Sequence, residues 1–326
     1  MPGDVQIRQL EYLVALAHER HFGRAAEVCH ASQPALSAAL RKLEQSLGVT
    51  IILRGRRFEG FTPEGTRVVG WAHRILAERD ALRTDLGRMR QGLTATLRIG
   101  AIPTAVPATA LLTDAFTEHH PHARVRVEAL SSRDIGRRLA EFDLDAGLTY
   151  LDGALSPAAV ELYRERYVLL TPEDSPLAGR QSVGWAEAAE LPLCTLVPSM
   201  QNRRILDDAV RAAGARLAPV VETDTVAALY GHLKSGRRST IIAHPWLHAL
   251  GVPQGLRAIP LPEVAPRPAI GLITADQQPT SIVAEALLEV VRGLDVAAAL
   301  DLSAAQVLGR GSGLPDQSSS VSSAVS

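Results

Sequence analysis

Polar side chains that can read DNA bases stand at the start of a predicted helix covering residues 33–47. Gln can pair with adenine, Arg with guanine, and Ser with either a base or a phosphate. The other side of this helix carries Leu36, Leu40 and Leu43, whose spacing is typical of a buried helical face. The sequence therefore predicts that the polar side faces DNA. The predicted contacts lie in the first turns of this helix and are Ser32, Gln33, Pro34, Ser37 and Arg41.

Two more helices precede this one and must position it. Residues 7–20 place Leu10, Leu13 and Ala17 on one apolar stripe, and a second helix is predicted over residues 24–30. A helix, a tight turn and a second helix that presents its first turns outward form the geometry of a helix-turn-helix. A generic three-helix bundle remains the alternative.

The next segment predicts a winged helix followed by a long helix. Two short strands are predicted in residues 49–54 and 58–61, around a basic tip. Thr62, Pro63 and Glu64 then form an N-cap, a proline at the first helical position and an acid in the first turn. The helix should run to about residue 90. The residues predicted to contact phosphates or the minor groove are Arg54, Arg56, Arg57 and Thr62.

The long helix carries an apolar seam that is interrupted once by an arginine. The seam is narrow, as in helices that pair with another helix, which favours self-association. A surface helix packed on its own domain is the alternative. The seam positions are Val68, Ala72, Ile75, Arg79, Leu82, Leu86 and Met89.

Charge is unevenly distributed along the 326 residues. Residues 1–92 hold 14 basic against 10 acidic side chains, a net of +4, whereas the remainder has a net charge of -5. A small basic part joined to a larger acidic body is compatible with a nucleic-acid reader whose body does not touch the nucleic acid.

From residue 96 onward, predicted strands alternate with helices, which favours an α/β body with a parallel sheet. Beyond residue 309 the chain is rich in Ser and Gly and should be disordered. Predicted strands cover residues 97–101, 124–129, 146–149, 167–170, 193–197, 220–222, 240–243 and 270–273. Predicted helices cover residues 105–119, 134–142, 201–213, 226–233 and 281–294.

Residues 24–49 strongly resemble the helix-turn-helix of LysR-type transcriptional regulators. The resemblance continues through Leu53-Arg54, then Phe61-Thr62-Pro63-Glu64-Gly65, and Leu97-Arg98-Ile99-Gly100. It places Arg24, at the start of the matched run, among the DNA contacts. Many family members carry an Arg directly after the serine equivalent to Ser37, where this chain has Ala38, so one common DNA contact is absent.

The resemblance implies a multidomain α/β fold: an N-terminal winged helix-turn-helix, a dimerising linker helix, and a two-lobed effector domain resembling type 2 periplasmic binding proteins. The implied DNA-binding domain covers residues 1–62 and the linker 63–92. The implied effector domain covers 96–308, with lobe 1 at about 96–165 and 266–300, lobe 2 at about 166–265, and a tail at 309–326.

Two-lobed receptors bind small ligands in the cleft between the lobes, where helix N-termini and hydroxyl groups satisfy anionic groups. The strand-to-helix junctions therefore predict an effector site, with Arg203 and Arg204 as a source of positive charge. Simple helix capping by the same Ser and Thr residues is the alternative. The predicted effector residues are Pro103, Thr104, Ser131, Ser132, Thr149, Tyr150, Ser199, Met200, Gln201 and Thr223.

An enzyme would need a nucleophile elbow, a phosphate loop or a metal cluster, and the sequence offers none. Residues 309–313 are glycine-rich but follow no predicted strand. The histidines of residues 119–122 are interrupted by Pro121 and do not converge on one helix face. We therefore expect no catalytic residue, no metal and no cofactor.

Cys29 and Cys194 cannot form a disulfide framework. The peroxide-sensing members of the resembled family hold both of their cysteines in the regulatory body, whereas here only Cys194 lies there. A thiol-disulfide sensor within one subunit is therefore disfavoured, and both cysteines are expected to be small buried hydrophobes.

The sequence thus predicts a sequence-specific transcriptional regulator of the LysR type. Double-stranded operator DNA with dyad symmetry, a small anionic metabolite and further copies of the chain, as a dimer or a dimer of dimers, are its expected partners, with RNA polymerase as another. No signal peptide or apolar span is evident, so we expect a cytoplasmic protein. A solute-binding protein without a DNA role is the alternative function.

Overall fold

The computed structural model describes residues 4–54, 58–91, 93–151, 159–265, 267–275 and 281–310. The predicted DNA contacts Arg56 and Arg57, and the predicted tail from residue 311 onward, lie outside the described residues. Within the described ranges, no helix combines the length and the apolar character needed to span a bilayer.

The N-terminal part is a helical bundle with a two-stranded wing and a long helix. Its elements are α1 (Ile7–Glu19), α2 (Phe22–Val28), α3 (Gln33–Leu47), β1 (Ile52–Arg54), β2 (Phe58–Phe61) and α4 (Pro63–Gln91). The wing strands pair antiparallel. These elements match the predicted ones closely; α3 has the predicted bounds, and β1 begins three residues later than expected.

Leucines from two helices form the core of this bundle. Leu13 and Leu16 of α1 are fully buried, as are Leu36, Leu40 and Leu43 of α3. Burying a side chain of this type contributes about 2 kcal/mol. The buried leucine face therefore fixes which side of α3 points to solvent.

The turn between α2 and α3 depends on a left-handed residue. His30 has a φ of 50°, and the Ala31 amide donates to the carbonyl of Ala26 at 2.9 Å. This closes α2 and lets α3 start within three residues. Ser32 caps α3, because its hydroxyl accepts from the Ala35 amide at 3.3 Å.

The start of α4 is fastened to the wing. The Thr62 hydroxyl accepts from the Gly65 amide at 2.8 Å and donates to the Thr50 carbonyl at 2.6 Å. A β-carbon on Gly65 would stand 2.0 Å from the carbonyl oxygen of Ile51. Only glycine allows this close approach of helix and wing.

The predicted seam of α4 is partly wrong. Ala72 is fully buried in the core of its own DNA-binding bundle, Val68 packs against that core, and Arg79 pairs with Glu11 of α1. These positions face α1 and not a partner helix. The large apolar groups that α4 exposes among the described side chains are Trp71 and two seam residues, Ile75 and Leu82. The side chains of the seam residues Leu86 and Met89 lie outside those described.

The remainder contains two five-stranded sheets, each with its own helices. The elements of the first part are β3 (Thr96–Ala101), α5 (Val106–His119), β4 (Arg124–Ala129), α6 (Ser132–Ala140), β5 (Ala146–Tyr150) and β6 (Val160–Arg164). Those of the middle part are β7 (Tyr167–Pro172), α7 (Trp185–Ala189), β8 (Leu193–Leu196), α8 (Gln201–Ala212), β9 (Val221–Thr223), α9 (Val226–Leu233), β10 (Ser239–Ala243), α10 (Pro245–Leu250) and β11 (Leu256–Pro260). The last are β12 (Ala269–Thr274), α11 (Ile282–Arg292) and α12 (Val296–Arg310).

We use lobe 1 for the body built on the sheet β4-β3-β5-β12-β6 and lobe 2 for the body built on β11-β7-β10-β8-β9. The predicted parallel sheet is wrong, because both sheets are mixed. β12 runs antiparallel to β5 and β6, and β7 runs antiparallel to β10 and β11. The antiparallel strands are those in which the chain leaves or re-enters a lobe.

The chain crosses between the lobes twice, at residues 165–166 and between β11 and β12, and α12 packs on both lobes. Val296 and Leu300 are buried in the core of lobe 1. Ala304, two turns after Val296, is buried in a core cluster of lobe 2. The last described helix therefore holds the two lobes together.

Gly65 provides a test of the helix-to-wing packing. Gly65→Ala should destabilise the N-terminal bundle by about 2 kcal/mol or more, because the added methyl group meets backbone and not a movable side chain. Hydrogen exchange of the α1 and α3 amides should become correspondingly faster. Gly70→Ala on the same helix, where nothing lies within 4 Å, should instead slow exchange slightly. Equal effects of the two substitutions would contradict the packing described.

Candidate DNA-binding and effector sites

The solvent side of α3 presents the predicted base-reading residues together. Gln33, Pro34 and Arg41 are exposed, and Ser37 is half-buried. Pro34 and Arg41 lie on the side opposite the buried leucines, and Gln33 is exposed because it is the first residue of the helix. All four lie in the first two to three turns of a helix that a tight turn brings to the surface. A helix presented in this way can enter a major groove.

Arg24 and Thr62 both have protein partners. The Arg24 guanidinium donates to the carbonyl of Glu19 at 2.7 Å and lies 3.3 Å from the Glu19 carboxylate, at the end of α1. The Thr62 hydroxyl is used in capping α4, as expected from the sequence. Arg54 is the last residue of β1. Contacts of these three residues with DNA stay predictions.

The predicted effector residues fall on both lobes, and two pairs of them meet. The Thr104 hydroxyl lies 3.4 Å from the Tyr150 hydroxyl within lobe 1. The Ser132 hydroxyl of lobe 1 donates to Gln201 Oε1 of lobe 2 at 3.1 Å. The first residues of α6 and α8 are therefore in contact across the cleft.

A second bond joins the lobes at another predicted residue. The indole N–H of Trp246, in α10 of lobe 2, donates to the carbonyl oxygen of Pro103 at 3.1 Å. Trp246 was not among the predicted residues. These two hydrogen bonds join the faces of the two lobes.

Other predicted effector residues serve local structure. Ser131 caps α6 by accepting from the Asp134 amide at 3.1 Å, and its hydroxyl holds the pKa of the Asp134 carboxyl below its usual range, with help from Arg137. Thr223 Oγ1 accepts from the Thr225 amide at 3.4 Å. For Ser131 the capping alternative is thus confirmed.

Three more predicted residues differ in exposure. Ser199 is exposed, Met200 is half-buried against a core cluster of lobe 2, and Thr149 is buried. The Thr149 hydroxyl has no hydrogen-bond partner among the described residues.

The expected positive charge from Arg203 is not free. Its guanidinium is buried and contacts Glu222 at 2.5 Å, Asp207 at 3.0 Å and the hydroxyl of Thr195 at 3.0 Å. Arg203 therefore neutralises carboxylates inside lobe 2, and the expectation that it attracts an anion is wrong. Arg204 is exposed.

A buried carboxylate that sequence reasoning missed lies at the first crossover. Glu165 is 1% exposed, and its Oε2 accepts from the hydroxyls of Tyr150 at 3.1 Å and Tyr167 at 2.7 Å. Asn202 of α8 donates to the Tyr167 hydroxyl at 3.4 Å. Acidic residues are seldom buried, so a glutamate between two arginines gives no sequence signal of this position.

The tyrosines around Glu165 stay protonated. Burial, and then the negative charge of Glu165, raise the pKa values of Tyr150, Tyr163 and Tyr167 well above the ordinary value. Protonated phenols are hydrogen-bond donors, and donors are what a buried carboxylate needs. The hydroxyl of Tyr163 has no partner among the described residues.

His244 is hydrogen-bonded to Arg166, the second residue of this crossover. Its Nδ1 accepts from the Arg166 amide at 3.1 Å, its Nε2 lies 3.7 Å from Asp301 of α12, and the ring meets Tyr163 edge-on. Burial, together with the charge of Arg166, lowers the pKa of His244 to about 4, against an opposing effect of Asp301. The ring is therefore neutral at pH 7.

The contacts of Cys29, Cys194, His119 and His120 serve local structure. Cys29 is half-buried and Cys194 buried, both are free thiols, and burial raises both pKa values. The His119 ring lies 2.8 Å from the Ala115 carbonyl, and the His120 ring packs on Phe116. Among the described residues, no three His, Cys, Asp or Glu side chains are grouped as a metal site.

An exposed recognition helix joined to a two-lobed α/β body defines a DNA-binding regulator with a ligand-binding domain. Family models agree: the model for the bacterial regulatory helix-turn-helix protein of the lysR family matches residues 7–66, and the LysR substrate binding domain matches residues 90–295. The chain belongs to the LysR family of transcriptional regulators. The alternative of a solute-binding protein without a DNA role is wrong, because the helix-turn-helix is part of the match.

Relatives cover nearly the whole chain. The DNA-binding transcriptional dual regulator OxyR of Escherichia coli K12 is 32% identical over 298 residues, covering 88% of this chain and 95% of that protein. A probable hydrogen peroxide-inducible genes activator of Streptomyces viridosporus is 33% identical, over 68% of this chain and 72% of that one. These relatives are regulators and not enzymes.

Solved structures share the fold. A full-length OxyR variant of Pseudomonas aeruginosa has a TM-score of 0.70 at 25% identity and covers 91% of this chain and 97% of its own. Full-length CbnR in complex with its target DNA has a TM-score of 0.62 at 19% identity, over 88% of this chain and 99% of that chain. The second likeness shows the fold alone.

The neutral His244 should make stability depend on pH. Its folded pKa, about 4, lies below the unfolded value of about 6.5, so the unfolded chain binds the extra proton first as the pH falls. The free energy of unfolding should drop by about 3 kcal/mol between pH 6.5 and 4 from this residue. His244→Asn, which keeps an acceptor for the Arg166 amide, should flatten that dependence in urea titrations. His232→Asn, at an exposed position of lobe 2, is the control; the same flattening there would contradict the assignment.

Proposed function

We propose that two copies of this chain bind a dyad-symmetric operator, each through the first turns of α3. The observation that carries the proposal is the exposure of Gln33 and Arg41 in the first turns of α3, a helix that is fixed in the bundle by fully buried leucines. Gln33 and Arg41 are proposed to read base edges, and Ser32, Pro34 and Ser37 to lie against bases or backbone. Arg24, Arg54, Arg56, Arg57 and Thr62 are proposed to contact phosphates or the minor groove.

Pairing of the two copies is proposed to use the exposed stripe of α4. Trp71 is 56% exposed and Leu82 60%, with Ile75 between them, and the Arg74 guanidinium stacks over the Trp71 ring at 4.7 Å. Large apolar groups in a row on one helix face are costly in water and are covered when two such helices pack. The relation of two copies by a dyad then matches the symmetry of the operator.

The effector domain is proposed to bind a small polar metabolite between the lobes. Support comes from polar residues of both lobes at one cleft, such as Ser132 and Gln201. The sequence expectation of an anionic metabolite loses one source of positive charge, since Arg203 is neutralised within lobe 2, and rests on helix N-termini, hydroxyl groups and the exposed Arg204. Because its target is chromosomal DNA, we propose that the protein acts in the cytoplasm.

The proposal does not include peroxide sensing by a disulfide within one subunit, although peroxide-inducible activators are among the relatives. Cys29 belongs to the DNA-binding bundle and Cys194 to β8 of lobe 2, and their thiols are stabilised in the protonated form by burial. A thiol reacts with peroxide as its thiolate, so both should react slowly.

Binding to the intergenic DNA upstream of its own gene tests the main proposal. A gel shift and footprint at stated salt should give a protected dyad with half-sites one or two helical turns apart. If competitor DNA of random sequence displaced the protein as readily as competitor operator DNA did, sequence-specific recognition would be rejected.

Substitution of Gln33 tests the base-reading assignment. Gln33→Ala should weaken binding to the operator by about 1–3 kcal/mol and leave binding to random DNA nearly unchanged, because only a base contact is lost. Gln45→Ala, an exposed glutamine near the other end of α3, should have no effect on either. A uniform loss on both DNAs would assign Gln33 to the backbone instead.

Peroxide treatment tests the cysteines. With one equivalent of hydrogen peroxide per subunit, the protein should retain two free thiols by thiol titration, and its operator footprint should stay unchanged. The variant with both Cys29→Ser and Cys194→Ser should regulate as the wild type does. A footprint that moves with peroxide in the wild type and not in the variant would show that the thiols sense peroxide.

A further inference from the structure

One oxygen atom at the first crossover accepts hydrogen bonds from both lobes. Glu165 connects β6 of lobe 1 to β7 of lobe 2, and its Oε2 receives the hydroxyls of Tyr150, from lobe 1, and Tyr167, from lobe 2. Two donors on one oxygen in a low-dielectric interior influence each other, because removal of one strengthens the hold on the other. The carboxylate thus couples the lobes electrostatically.

From each tyrosine the network reaches the start of a helix, α5 in lobe 1 and α8 in lobe 2. The Tyr150 hydroxyl lies 3.4 Å from Thr104, just before α5, and the Tyr167 hydroxyl accepts from Asn202 in the first turn of α8 at 3.4 Å. A ligand that binds Thr104 or Asn202 would therefore be connected to Glu165 through two successive hydrogen bonds, by way of one tyrosine hydroxyl.

The backbone of this crossover is held in place on both sides. The Glu165 amide donates to the Pro268 carbonyl of the second crossover at 2.8 Å. On the other side, the Arg166 amide donates to Nδ1 of His244 at 3.1 Å, and the backbone amide of His244 donates to the Arg166 carbonyl at 2.9 Å. Asp301 of α12 pairs with the Arg166 guanidinium. With the main chain fixed, the phenol hydroxyls are the parts that can exchange partners.

We propose that Glu165 is a positioning residue that transmits ligand binding between the lobes. A ligand group that accepts the hydrogen bond of the Tyr150 hydroxyl, directly or through Thr104, removes that donor from Glu165 Oε2. The hydrogen bond from Tyr167 to Oε2 then becomes stronger, which changes the hydrogen bond that Asn202 of α8 donates to Tyr167. Lobe 1 follows α4 directly through β3, so a change in lobe arrangement reaches the DNA-binding parts. This inference rests on the proposed ligand-modulated operator binding.

Distances between the lobes test the coupling without DNA. Spin labels on Arg137→Cys in α6 and Arg211→Cys in α8, both exposed, report the lobe arrangement in a Cys29→Ser background. Labelled subunits are diluted with unlabelled ones, so that only distances within one subunit are measured. Tyr150→Phe, Tyr167→Phe and Glu165→Gln should each widen or shift the distance distribution.

Non-additivity separates coupling from simple loss of stability. In the Glu165→Gln background, the further change Tyr150→Phe should add little, because the shared charged acceptor is already gone. Thr171→Val is the matched control: it removes a hydroxyl equally buried, bonded to Ser239 at 2.8 Å inside lobe 2, and should leave the distances unchanged. An unaltered distribution in Glu165→Gln, or the same alteration in Thr171→Val, would overturn the proposal.

Operator binding provides the second readout. Glu165→Gln should change operator affinity by about fivefold or more, with the salt dependence unchanged because no phosphate contact is lost. Wild-type operator affinity in that variant would also overturn the coupling role. Failure of the wild type to bind a specific operator would instead reject the proposed function, while the distance measurements would still report the coupling between lobes.

Discussion

A carboxylate taken out of water costs several kcal/mol unless protein donors replace its hydration shell, and the junction of the lobes satisfies that demand at Glu165. Two phenols from different sheets converge on it, and the backbone beside it is held by the second crossover and by His244. The donors that replace water around this carboxylate thus come from both lobes. The relative placement of the lobes in this structure is therefore a condition for burying the charge, and not a consequence of cleft shape alone.

Local rules predicted most of the helices and strands. The leucine spacing of α3, the capping Thr62 before Pro63, and the alternation from β3 onward are all short-range signals, and the observed elements follow them within a few residues. The missed elements depend on distant partners. β6 and β11 become strands because they pair with β12 and β7, far away in sequence, and α12 forms on surfaces of both lobes. The same limit explains the α4 seam, where α1 covers Val68 and Ala72, and the sheets, whose antiparallel pairs no local pattern indicates.

The two candidate sites differ in how far sequence could reach. The α3 face is encoded within fifteen residues, so its exposed and buried sides follow from helical periodicity alone. The cleft is assembled from five separate segments, and hydroxyl residues at strand ends serve capping as readily as binding, which Ser131 illustrates. Thr104 meets Tyr150 and Ser132 meets Gln201, as two separate pairs, and their role in binding an effector stays a prediction. Glu165, Tyr167, Asn202 and Trp246 carried no sequence signal, because their contacts form only when distant segments meet.

The position of α12 at the end of the described chain has a consequence for biosynthesis. The ribosome completes the DNA-binding bundle first, since its core uses residues from the first quarter of the chain. The core of lobe 1, by contrast, lacks Leu300 until α12 has been made, and one of the two core clusters of lobe 2 lacks Ala304. Domains fold as units during synthesis, so for most of translation a finished DNA-binding bundle precedes an unfinished regulatory body. Loss of the last few helical turns would uncover part of the core of lobe 1 and one core cluster of lobe 2, and would leave the core of the DNA-binding bundle unchanged.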